Sequence, residues 1–182
     1  MKQSLICENQ PFHKEKSMLS NRMIDKLNEQ IKFEFEASNL YLQMAAWCAW
    51  KGFDGASKFL MEHSVEERMH MLKLFTYVSE TGSLAIISAM EKPQHEYESL
   101  KSMFEQILDH ERFVTGKINE LVALAYEEKD YSTLNFLQWY VAEQHEEESL
   151  FNSILDKINL VAYDGRGLYL IDRDLGKMAI AE

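Results

Sequence analysis

From Arg22 onward, side chains recur in alternating steps of three and four: Ile24, Leu27, Ile31, Glu34, Ser38, Tyr41, Ala45 and Cys48. That spacing keeps all eight on one face of an α-helix and predicts a first helix reaching to about residue 50. A second helix is expected from about Gly55 to Thr81, stopping at Gly82, with Leu60, His63, Glu67, His70 and Leu74 on its inward face. A third, from about His95 to Glu127, offers Leu100, Phe104, Ile107, Glu111, Val114, Ile118, Leu121 and Ala125. The fourth offers Thr133, Leu137, Tyr140, Gln144, Glu147, Phe151, Ile154 and Ile158. YDGRG (Tyr163–Gly167) ends that helix, and LYLIDRDLGKM is long enough for a fifth of about two or three turns.

The connections decide how these helices are arranged. KGFDG (Lys51–Gly55) is short, supplies two glycines and offers Asp54 as an N-cap, so the first two helices should lie antiparallel. EKDYS, with Asp130 or Ser132 as cap, makes the same case for the third and fourth. Between the second and third lies SLAIISAMEKPQ, which has no helical face. A helix of ~27 residues is ~40 Å long, and ~12 extended residues at ~3.3 Å each cover that length. The segment can return the chain along the whole bundle, leaving helices two and three parallel. The expected fold is all-α: an up-down-down-up four-helix bundle with one long crossover, plus a short C-terminal helix.

Each inward face is interrupted by polar groups near its middle: Glu34; Glu67 and His70; Glu111; Gln144 and Glu147. In the assembled bundle these should meet at one level. A buried carboxylate is unfavourable by several kcal/mol unless paired or neutralised. An internal salt-bridge network is one solution, but none of the inward positions is Lys or Arg, which leaves only His63 and His70 as cations. Two divalent ions would instead bring four positive charges to the four carboxylates, with imidazole and amide filling further coordination positions. Glu67 and His70, three apart, project from the same side of one helix and can grip one ion. Oxygen donors with an imidazole suit iron or manganese better than thiolate-seeking metals.

Composition narrows the setting. The chain has 182 residues, 46% of them hydrophobic and 12% aromatic, with only 7 Gly and 2 Pro, which fits one domain built from long helices. Residues 1–17 are polar, aperiodic and contain Pro11, reading as a mobile extension before a domain at 18–182, with Met18 as an alternative start. They lack the apolar core of a secretory signal, and no apolar run approaches the ~20 residues of a membrane span. Cys7 and Cys48 form no Cys-x-x-Cys pair, so reduced thiols and a cytoplasmic setting are expected. With 30 Asp plus Glu against 19 Lys plus Arg, the formal net charge of -11 disfavours nucleic acid and favours cations.

In KLNEQ, WCAWKGFDGA, HSVEERMHM, GKINEL and NFLQWYVAEQHEEE the sequence resembles the non-haem bacterial ferritins, and the likeness runs over essentially all of residues 18–182. The resemblance implies an iron-storage protein with ferroxidase activity, oxidising Fe(II) to Fe(III) with dioxygen or hydrogen peroxide. It implies one iron held by Glu34, Glu67 and His70, and a second by Glu67 as bridge, Glu111 and Glu147. Gln144 would sit near the second iron, and Tyr41 beside the centre as a hydrogen-bonding neighbour with redox capacity. A third, transit iron site would draw on Glu66, Glu143, Glu146 and Glu147. The family further implies a homo-oligomeric shell of about two dozen subunits around a ferric mineral. Bacterioferritins differ in carrying a second Glu-x-x-His on the fourth helix and a haem-ligating Met directly after the second-helix Glu. Here Gln144-x-x-Glu147 and Arg68 stand in those places, so no haem is expected. The Cys-x-x-Cys iron domain usual in rubrerythrin-like proteins is absent. The small DNA-protecting relatives leave the bundle centre without acids, unlike Glu111 and Glu147.

Overall fold

The computed structural model describes residues 17–161 and 165–179. Five helices follow one another: α1 (Asn21–Lys51), α2 (Asp54–Glu80), α3 (Leu100–Glu127), α4 (Tyr131–Val161) and α5 (Gly165–Met178). No strand occurs among the described residues, and no helix is long and apolar enough to cross a membrane. The extension expected over residues 1–17, with Cys7, lies outside the described residues apart from Ser17, as do Tyr163 and Asp164 of the YDGRG break.

Local chemistry sets the helix ends. Ser20 caps α1 by accepting from the Met23 amide at 3.0 Å, and Gly52 closes it at φ 85°, a conformation that favours glycine. Asp130, one of the two expected caps, accepts from the Thr133 amide at 3.0 Å and starts α4. Three expectations need correction. Asp54 is the first residue of α2 rather than its cap. Phe53 occupies the cap position without a side-chain bond, and the Ala56 amide is satisfied from α5, by Asp172 Oδ1 at 2.8 Å. The third helix starts at Leu100, not His95, because Ser99 and Ser102 exchange hydrogen bonds in a capping box, each 3.0 Å long. The fifth helix takes in Gly165, Arg166 and Gly167 and so spans 14 residues.

Contacts between helices give the expected directions. Ser38 and Ser64 each donate to the other's carbonyl at 2.7 Å, and the Met18 amide donates to Thr81 O at 3.1 Å, so α1 and α2 run antiparallel. Ser20 meets Glu128 while Cys48 meets Met103, setting α3 antiparallel to α1. The crossover runs along α1 in the same direction. It is pinned by Asn28 at Leu84 and Ile86, by Asn39 at Met90, and by Trp47 packed edge-on against Tyr97.

The apolar core is divided into two. One half gathers Tyr41, Met44, Cys48, Phe59, Leu60, Phe104, Ile107, Phe151 and Ile154, with Ile171 and Leu175 of α5. The other gathers Met23, Leu27, Ile31, Leu74, Val78, Val114, Ile118, Leu121, Leu137 and Tyr140. On every long helix the polar interruption falls between the two halves.

Candidate metal centre

Glu34, Glu67, His70, Glu111, Gln144 and Glu147 are all buried, none more than 5% exposed, and Tyr41 is fully buried. Two long helices supply one group each and two supply a pair, because each apolar stripe carries its polar residues at the same height. One donor atom each from Glu34, Glu67 and His70 lies within 4.8 Å of the other two. His70 Nδ1 stands 3.4 Å from Glu67 Oε2 and 4.0 Å from Glu34 Oε2. The imidazole packs edge-on against Trp139, and its backbone carbonyl accepts from the Tyr140 hydroxyl at 2.8 Å.

The oxygens divide into held and open ones. Gln30 Nε2 donates to Glu34 Oε1 at 2.8 Å, leaving Glu34 Oε2 buried with no hydrogen-bond partner among the described residues. Both Glu111 oxygens are held: Oε1 accepts from the Tyr41 hydroxyl and Oε2 from Gln144 Nε2 at 3.0 Å. Glu147 Oε2 is buried and without a hydrogen-bond partner among the described residues, 3.9 Å from His63 Nε2. Glu111 therefore joins no three-residue group within 4.8 Å among the described residues, and Glu147 groups with His63 and Glu66 rather than with Glu67.

No lysine or arginine ion pair reaches this layer among the described residues. Burial and mutual repulsion consequently push the carboxyls up. Burial and then Glu67 hold Glu34 well above the usual range, while burial, Glu111 and Glu147 do the same to Glu67. Glu147 is raised to about 9 by burial, with Glu111, Glu66 and Glu143 adding to it. Burial also raises Glu111, although the donors Tyr41 and Gln144 oppose it. The Tyr41 phenol, raised by burial and by Glu111, stays protonated and able to donate.

The outer acids lie between α2 and α4. Glu66 and Glu143 gather with His70 in a second three-residue group, and Glu66 and Glu147 with His63 in a third. Glu146 is exposed and joins neither, although it borders the same cavity as Glu62, His63, Glu66, Glu143 and Glu147. Two residues matter more than their sequence positions suggested. Gln30 lies off the apolar stripe, and only its place one turn before Glu34 could have pointed to it. His63 is on the stripe, but as a prospective cation rather than beside Glu147.

Comparison with known proteins agrees with the fold. The Ferritin-like domain model matches residues 24–161. A Haemophilus influenzae protein described as a probable bacterial non-heme ferritin-like protein is 60% identical over 162 residues, 89% of this chain and 98% of that one. An Escherichia coli bacterial non-heme ferritin is 50% identical over 161 residues, 88% of this chain and 98% of its own. Among solved structures, an open pore ferritin from Archaeoglobus fulgidus superposes with a TM-score of 0.85 at 42% identity, covering 87% of this chain and 96% of that one. A Chlorobium tepidum ferritin gives 0.79 at 48%, covering 87% and 97%. With a divided core, a carboxylate-imidazole layer between its halves and relatives matched over nearly their full length, the chain belongs to the ferritin family, beside the bacterial non-heme ferritins.

Proposed function

We propose that this chain stores iron and that its buried carboxylate layer is the ferroxidase centre, where Fe(II) is substrate and dioxygen or peroxide the electron acceptor. One observation carries the reading: four carboxyls, an imidazole and an amide are buried at one level with no lysine or arginine paired to them among the described residues. In water-excluding surroundings this arrangement is strongly self-repelling, and divalent cations are the partners that relieve it.

The residues divide the work by their geometry. Glu34, Glu67 and His70 hold one ferrous ion, with Glu34 Oε2 as its open oxygen and Gln30 fixing the other oxygen of the same carboxylate. Glu67, Glu111 and Glu147 hold the second. The Tyr41 hydroxyl and Gln144 amide orient Glu111, and both must yield part of their hold on its oxygens as an ion arrives. Hard carboxylate oxygens favour the ferric product over the ferrous substrate, which drives each ion's one-electron loss to the acceptor. Glu66, Glu143 and Glu146 border one cavity with Glu147 between α2 and α4 and would take up iron as it leaves the centre. Ferric iron then passes to a mineral inside a closed shell built from copies of this chain.

The test is stopped-flow oxidation of anaerobically loaded ferrous protein, with helix content followed in parallel. Glu67→Ala and His70→Ala are each expected to abolish fast oxidation and keep the bundle folded. Wild-type rates in both variants would remove the centre from the mechanism.

A further inference from the structure

Where α3 and α4 meet beside the second ion's ligands, two pairs of residues one helical turn apart face each other: Glu111 and Thr115 on α3, Gln144 and Glu148 on α4. Three acceptors of α3 converge on the Gln144 amide nitrogen. Nε2 lies 3.0 Å from Glu111 Oε2, 3.3 Å from the Glu111 carbonyl oxygen and 3.5 Å from Thr115 Oγ1. The Thr115 hydroxyl in turn donates to Glu148 Oε1 at 2.6 Å. Gln144 is only 3% exposed, and no donor among the described residues reaches its Oε1.

Counting hydrogens fixes which end of the amide faces α3. A hydroxyl has a single hydrogen, and that of Thr115 goes to Glu148, so Thr115 Oγ1 can only accept from Gln144. The Glu111 backbone carbonyl can only accept as well, whatever the charge on its side chain. Both require the NH2 end of the amide, and the carbonyl end is left for whatever occupies the carboxylate layer. With the amide turned over, Oε1 would meet acceptors, and the NH2 group, with its partial positive charge and no lone pair to offer, would face an incoming cation. Thr115 matters most at one moment. As an ion draws Glu111 Oε2 away from Nε2, the amide loses its shortest bond, while the backbone carbonyl and the Thr115 hydroxyl stay in place and the longer Thr115 contact can shorten.

We propose that Thr115, its hydroxyl fixed by Glu148, is a positioning residue that locks the Gln144 amide so that its oxygen rather than its nitrogen meets the second ferrous ion. The inference rests on the ferroxidase reading of the layer. An amide oxygen is a neutral donor that adds to the hold on a divalent ion without adding to the crowding of negative charge, and the lock keeps it presented while Glu111 changes partners.

Redox-inert Co(II) is the probe, titrated by calorimetry into the full assembled protein and located in soaked crystals by anomalous scattering at the cobalt edge. The wild type is expected to bind an ion at Glu34, Glu67 and His70 and a second at Glu67, Glu111 and Glu147. Thr115→Val keeps the branched shape and removes the hydroxyl; it is expected to weaken the second ion about tenfold and leave the first unchanged. Thr115→Ser restores the hydroxyl and is expected to bind as the wild type does. In a Gln144→Leu background, Thr115→Val is expected to add nothing, because the hydroxyl acts through the amide. Wild-type affinity for the second ion in Thr115→Val, equal losses in the Val and Ser variants, or an undiminished effect of Thr115→Val in the Gln144→Leu background would each overturn the lock and leave the ferroxidase reading standing. A wild type that takes no ion into the buried layer would overturn the ferroxidase reading, and the lock with it.

Discussion

Replacing Glu147 with Gln is expected to stabilise the metal-free protein at neutral pH while impairing its metal binding. The carboxyl has an ordinary value of 4.5 and is raised to about 9 in the folded protein, chiefly by burial. Between those values the folded chain keeps a proton that the unfolded chain has released, so folding stability falls as pH rises, by ~1.4 kcal/mol per unit. At pH 5 the penalty is below ~1 kcal/mol. At pH 7 it is about 3 kcal/mol, set by the distance of the pH from the unfolded value rather than by where above 8 the folded value lies. Above about pH 9 the loss is complete. Gln cannot ionise and escapes this term. For a domain of this size each kcal/mol moves the melting point by ~2–4 °C, so the chelator-treated variant should melt about 6–12 °C above wild type at pH 7 and within about 3 °C at pH 5. Calorimetric melts at pH 5, 7 and 9 measure this directly. Added Co(II) is expected to close the gap by raising wild type alone, with release of protons into a weakly buffered solution. A gap that does not change with pH, or a variant less stable than wild type at pH 7, would refute the electrostatic account of the centre.

Two further substitutions examine parts of the scaffold. Gln30→Leu removes the donor that holds Glu34 Oε1 and is expected to weaken the inner ion at Glu34 by about 10- to 100-fold with little change in fold, read by anaerobic titration; unchanged affinity would make Gln30 a packing residue only. Gly55→Ala would place a Cβ 1.8 Å from the Asp172 carbonyl oxygen and 3.0 Å from the Gly176 amide nitrogen, so α5 must shift and the Asp172 cap on α2 is lost. Destabilisation of at least about 2 kcal/mol and faster proteolysis at α5 are expected, and an unchanged melting point would show that the close crossing is not needed.

The primary structure determined the face each long helix turns inward. Ile31, Leu60, Ile107 and Phe151 are buried where the three-and-four spacing puts them, with Glu34, Glu67, Glu111 and Glu147 sharing those faces. It pointed to the topology as well, because a crossover without helical period and as long as a helix can return the chain, and the contacts of Asn28, Asn39 and Trp47 along it show that it does. Helix ends were less legible. Residues 95–98 are compatible with helix or coil, and the Ser99–Ser102 exchange settles the start of α3. The cap of α2 comes from Asp172, far along the chain, and no local pattern announces it.

Which oxygen of each acid is open was decided only in three dimensions. Spacing along a helix says that a carboxylate points inward. The rotamer it adopts depends on donors from other helices and other turns: Tyr41 and Gln144 hold both oxygens of Glu111, Gln30 holds one of Glu34, and Glu147 faces His63. Helical periodicity is a property of one backbone and can be read from one dimension. Coordination geometry depends on the separation of side chains on neighbouring helices, which exists only once the bundle has closed.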